Sequence, residues 1–138
     1  MSGIKMTKKL LSTYRKTKSE IPLLEHEIAY MQQGDNGFGN SVILNYQTGE
    51  PRAQAVIGFD WERYGRRQQD LEKKKARCQA VENWIDGIEN VQARTVLRMY
   101  YIDGAPWTKI SNQLGYANRP DYPRLHIRDA YLKKVGIK

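Results

Sequence analysis

Two long stretches of the chain repeat apolar side chains at helical spacing, and this limits the folds open to it more than any other feature. Over residues 5–33, Met6, Leu10, Tyr14, Thr17, Ile21, Leu24, Ile28 and Met31 recur at gaps of three and four, the spacing of a single helical stripe. In the second stretch Asp60 is placed to cap a helix beginning at Trp61. Tyr64, Leu71, Cys78 and Ile85 then recur every seven residues, with Val81 and Ile88 at the offset position late in the run and Arg67 and Lys74 there early. Two such stripes have to be covered, either by each other as an antiparallel helical hairpin or by a second subunit. The fold class expected is mainly α. Cys78 lies on the stripe and reads as a packed thiol, because a reactive one needs an accessible, electropositive setting. Pro22 interrupts the first stripe and predicts a kink, or a helix restarting near Ser19.

Between the stripes the pattern breaks. Gly34-Asp35-Asn36-Gly37-Phe38-Gly39-Asn40 is dense in turn formers. Val42-Ile43-Leu44-Asn45-Tyr46 has the composition of a short strand, and residues 53–57 are placed to pair back with it across Thr48-Gly49-Glu50-Pro51. A short β-hairpin or a linker loop over 34–59 is therefore expected. The second long helix should end or bend near Asp86-Gly87 or Glu89-Asn90. This divides the chain into a helical hairpin over 1–88, with its loop at 34–59, and a C-terminal module over 89–138.

The C-terminal module is punctuated throughout. Residues 91–101 form a helix with Ala93, Val96, Leu97, Tyr100 and Tyr101 on one face, stopped by Asp103-Gly104. Pro106 opens a short helix over 107–114, where Ile110 and Leu114 face inward and Trp107 anchors it. Gly115 makes the turn. A last helix runs to about Lys134, its start set by Pro123 with Asp121 or Tyr122 as cap. It shows no clean stripe: Leu125 and Leu132 fall one way and Ile127, Ala130 and Tyr131 another, which implies a second packed surface toward a dimer mate or a polymerase. A short helix, a glycine turn and a basic helix make a helix-turn-helix. In that arrangement the second helix enters the major groove. Arg119, Arg124 and Arg128 meet phosphates or guanine edges, and Asn118 and Tyr122 meet bases or backbone. Thr108 and Lys109 meet a phosphate at the start of the short helix. His126 reads as a packing or backbone-bonding residue rather than a base contact.

The run Arg94-Thr95-Val96-Leu97-Arg98-Met99-Tyr100-Tyr101-Ile102-Asp103-Gly104, followed by Trp107-Thr108-Lys109-Ile110-Ser111, Leu114-Gly115 and Leu125-His126, resembles region 4 of bacterial sigma factors. Together with Tyr64-Gly65-Arg66-Arg67 and Cys78-Gln79-Ala80-Val81-Glu82-Asn83-Trp84-Ile85-Asp86, it is similar to the small phage-encoded sigma-like regulators of the RinA and ArpU type, which control late genes of temperate phages. The resemblance covers about residues 60–134. It implies a DNA-binding role for the last helix, at Asn118, Arg119, Tyr122, Arg124 and Arg128, and host RNA polymerase as a partner. The chain departs from the pattern at Ala105-Pro106, where the family has Leu-Ser, at Ser111, where it has Ala, and in a longer turn after Gly115 that holds two prolines.

Charge agrees with a polyanionic partner. The formal net charge is +8, and residues 91–138 hold nine basic against three acidic groups, so the excess gathers where the helix-turn-helix is expected. With one cysteine and two distant histidines, neither a disulfide nor a zinc site can be assembled, and no cofactor is expected. The N-terminal stretch lacks the apolar segment of a signal peptide, and no run approaches the ~18 apolar residues of a membrane span, so a cytoplasmic protein without a membrane partner is expected. A 40% hydrophobic fraction without a phosphate-cradling loop or a nucleophile–base pair argues against an enzyme. Three roles fit what is left: a sequence-specific transcription regulator binding double-stranded DNA, a DNA-packaging recognition subunit, and a polymerase-binding module. Any of them could act as a homo-oligomer through the long helices.

Overall fold

The computed structural model describes residues 4–43 and 59–137, with side chains at 4–33 and 59–137. The chain is mainly helical, and no strand occurs among the described residues. Helix α1 is Lys8–Ile43 and α2 is Trp61–Asp86. Helix α3, Val91–Leu97, continues as a π-helical turn, Arg98–Ile102. Helix α4 is Trp107–Gln113. Helix α5 combines a π-helical stretch, Pro123–Asp129, with an α-helical end, Ala130–Lys134.

The sequence explains most of these boundaries. Thr7 begins α1 by accepting the Leu10 N–H at its Oγ1, 3.1 Å. Asp60 caps α2 as expected, accepting the Arg63 N–H at 2.9 Å, and α2 ends at Asp86. Asn90, expected only to end the preceding helix, caps α3 through the Ala93 N–H at 2.9 Å. Gly104 at φ +70° and Gly115 at φ +84° supply left-handed turns that other residues adopt poorly.

Two expectations for α1 need correction. The helix runs unbroken through Pro22 and does not restart near Ser19. Both Lys18 and Pro22 are exposed, so water can satisfy the Lys18 carbonyl that loses its helical donor. The backbone also stays helical from Gly34 to Ile43, through the turn formers and the first two residues of the expected strand. The remainder of that β-hairpin, residues 44–58, lies outside the described residues.

The chain divides into two compact units, residues 1–18 with 75–138, and residues 19–74. In the second unit Leu24, Ile28 and Leu71 form a buried cluster flanked by Ile21 and Tyr64. The polar early half of the α2 stripe is filled by ion pairs to α1, with Arg67 on Glu27 at 2.8 Å and Lys74 on Glu20 at 3.2 Å. Gln32 donates to the Tyr64 hydroxyl at 2.8 Å. These partners run in opposite directions along the two segments and fix one register, as charged flanks do in coiled coils. Exposed as they are, these pairs set register more than they stabilise.

In the first unit Leu11 and Tyr14 of α1 are buried, as are Cys78, Val81 and Ile85 of α2 and Ile88 after it. The Tyr14 hydroxyl donates to Glu82, which also accepts from Lys18 at 3.0 Å. Helices α3 and α4 each pack on α5 around Val96, Leu97, Ile110 and Ile127.

Candidate nucleic-acid interface

The α4–turn–α5 segment is built around Ser111. Its side chain is fully buried, and its hydroxyl donates to the Pro120 carbonyl at 2.8 Å. Ser111, where the sigma pattern has Ala, thus ties α4 to the segment that precedes α5. Tyr116 donates its backbone N–H to the Ser111 carbonyl at 2.7 Å. Successive turns, Arg119 N–H to Tyr116 and Tyr122 N–H to Arg119 at 2.8 and 3.0 Å, carry the chain to α5. Tyr122 caps α5 and Pro123 follows as its first residue, so the two prolines occupy the turn and the first helical position, where no N–H is needed.

Helix α5 is not an ordinary α-helix, and this accounts for its missing stripe. Pro123, Ile127 and Leu132 are buried. Nine residues make two and a half turns at 3.6 residues per turn, so an α-helix would set Leu132 opposite Pro123. The wider π turns rotate less per residue, which takes away the excess half turn and returns Leu132 to the packed side. Leu125, expected to share a face with Leu132, is instead 44% exposed.

Of the predicted contact residues, Thr108, Lys109, Asn118 and Arg119 are exposed. Arg124 is half-buried and holds the Asp121 carboxylate at 3.2 Å. Tyr122 is half-buried within a row of rings: Tyr116 stacks on it at 4.3 Å, His126 leans on it at 4.8 Å, and the Arg119 guanidinium lies 4.7 Å above it. Gln92 donates to the Tyr116 hydroxyl at 3.2 Å. Arg119, Tyr122 and Arg124 are thus brought together at the start of α5 with Tyr116 and His126. The sequence reading did not include Tyr116, which lies in an irregular stretch without periodicity. His126 packs on the Tyr122 ring, in keeping with the packing role expected of it and with their four-residue helical spacing.

Arg128 is separated from this group. Its side chain is only 13% exposed. The guanidinium lies 5.1 Å from the Tyr100 ring and 5.2 Å from that of Trp107, two rings themselves stacked at 4.4 Å. Its Nε donates to Asp129 at 2.8 Å. Here an arginine joins the end of α3, the start of α4 and α5 through cation–π contacts. Tyr131 meets Trp84 of α2 edge-on at 6.2 Å, a further anchor for α5.

No group of His, Cys, Asp and Glu that could hold a metal occurs among the described residues, and no helix there is long and apolar enough to cross a membrane. Comparison with protein-family models, with curated proteins and with solved structures finds no match.

Proposed function

We propose that the chain binds double-stranded DNA sequence-specifically through a helix-turn-helix formed by α4 and α5, and that it regulates transcription. The observation that carries this reading is the basic and aromatic group at the start of α5, where exposed Arg119 gathers with half-buried Tyr122 and Arg124 behind a short helix whose own Thr108 and Lys109 are exposed. A left-handed glycine and the Ser111 tie fix that start relative to α4, the preorganisation groove reading needs. The nine-to-three basic excess over residues 91–138 supplies attraction to phosphate. The resemblance to sigma region 4 extends the reading to late-gene control in a temperate phage. In the same reading α1 and α2 form a helical hairpin, supported by the Arg67–Glu27 and Lys74–Glu20 pairs.

The test is selection from a random duplex library at roughly 150 mM salt, where weak phosphate binding is largely suppressed. An enriched motif is expected, and binding that vanishes with salt and enriches nothing would overturn the reading. Arg119→Ala should then cost about 1–3 kcal/mol and relax one position of the motif, whereas Lys109→Ala should weaken all sequences alike.

A further inference from the structure

We propose that a cleft beside Arg15 seats a phosphate of the DNA backbone, next to the start of α4. This deepens the DNA-binding reading and rests on it. The cleft, about 160 Å³, is lined by Leu11, Ser12 and Arg15 of α1 and by Tyr100, Tyr101 and Gly104. That is roughly ten times the ~10–15 Å³ that one water needs by the same measure, room enough for a phosphate group. Its floor is firm, since Leu11 and Tyr101 are buried. Its charge comes from Arg15, which is exposed. Among the described residues no hydrogen bond or ion pair ties that guanidinium down. Ser12 gives its hydroxyl proton to the Lys9 carbonyl at 3.2 Å and the Tyr101 hydroxyl is engaged by Arg128, so Arg15 is the principal donor that the lining offers.

Gly104 is what lets the guanidinium lie there. A Cβ at this position would collide with the Cζ and Nε of Arg15 and come within 2.8 Å of its Nη2. The glycine therefore serves both the left-handed turn and the close approach of a planar cation with five donors. The surroundings favour an anion. Residues 5–18 contain Lys5, Lys8, Lys9, Arg15, Lys16 and Lys18 and no acidic residue. Asp103 beside Gly104, and Asp129, whose charge reaches Tyr101, do not line the cleft.

The placement makes DNA the source of the phosphate. Tyr100 lines the cleft and also stacks on Trp107. Trp107 is the first residue of α4, followed directly by Thr108 and Lys109. Phosphates follow one another every ~3.4 Å of axis along each strand, so a backbone lying along the start of α4 presents a further phosphate to Arg15.

The experiment pairs two readouts on the full chain. The first is affinity for the selected duplex across a salt series for the parent, Arg15→Gln and Gly104→Ala. The second is the arginine side-chain NMR signals of the parent during titration with inorganic phosphate. Arg15→Gln should keep the motif, weaken binding roughly tenfold at low salt and reduce the salt slope by about 1. Gly104→Ala should do the same where circular dichroism shows it folded, and Arg15→Gln decides the matter where it is not. The Arg15 signal should shift saturably with phosphate. An unchanged slope in Arg15→Gln, or an unresponsive Arg15 signal, overturns the proposal. A parent that binds no duplex while its Arg15 signal saturates with phosphate overturns DNA as the source and supports the phosphate seat alone.

Discussion

At the scale of single residues, the buried contact of Tyr14 with Glu82 shows how a polar pair is held inside a helical seam. The Tyr14 hydroxyl and then Lys18 hold the Glu82 carboxyl below its ordinary 4.5, against the opposing effect of burial. Burial and the same carboxylate push the Tyr14 hydroxyl upward. Because the folded value of Glu82 is depressed, its contribution is present above the unfolded value and disappears as pH falls through the folded one. Stability measured by denaturant titration should thus decline as pH drops below about 4.5, and Glu82→Gln should flatten that part of the profile. The same variant should lose about 1 kcal/mol at neutral pH, a modest figure because the carboxylate is 31% exposed. Helical spacing alone places Tyr14 on the buried stripe. It does not reveal Glu82, because a bond between residues 68 positions apart depends on the register of two helices. Arg128 was hidden for a related reason. In sequence it is one basic residue among several on a basic helix, and the rings that hold it, Tyr100 and Trp107, belong to other elements.

At the scale of elements, the long helices were legible because their apolar spacing is that of an α-helix and their caps are ordinary ones. Asp60, Asp86-Gly87, Asp103-Gly104, Pro106 and Gly115 all mark boundaries where the sequence placed them. The π-helical turns were not legible, because an extra residue per turn leaves no compositional mark and only spoils the periodicity on either side. The result was a mistaken face for Leu125. Pro22 misled in the opposite direction: a residue that breaks helices in isolation is carried by a helix packed on both sides of it, through Leu24, Ile28 and Met31 after it and Leu11 and Tyr14 before it. Its cost should nevertheless be recoverable. Pro22→Ala should stabilise the chain by about 1–3 kcal/mol, the gain being reduced by the freer unfolded state. A raised midpoint in thermal or urea unfolding checks this.

At the scale of the whole molecule, the unit that carries the candidate interface is assembled from distant stretches of chain, residues 1–18 and 75–138, whereas residues 19–74 form their unit from one continuous segment. Leu11 and Tyr14 are almost fully enclosed, and Leu11→Ala should cost about 2–5 kcal/mol. A fragment of residues 75–138 should show weak, non-cooperative thermal unfolding by circular dichroism, and a synthetic peptide of residues 4–18 should restore the transition. This arrangement also sets a timetable for biosynthesis. Residues 8–18 leave the ribosome long before the helices that cover them have been translated, and they have to wait until Leu132 is made before the unit can close. A translation product cut short after α2 contains all of residues 19–74 and none of α3, α4 or α5. An incomplete chain therefore lacks the whole candidate interface and has no means of competing with the finished protein for whatever that surface binds.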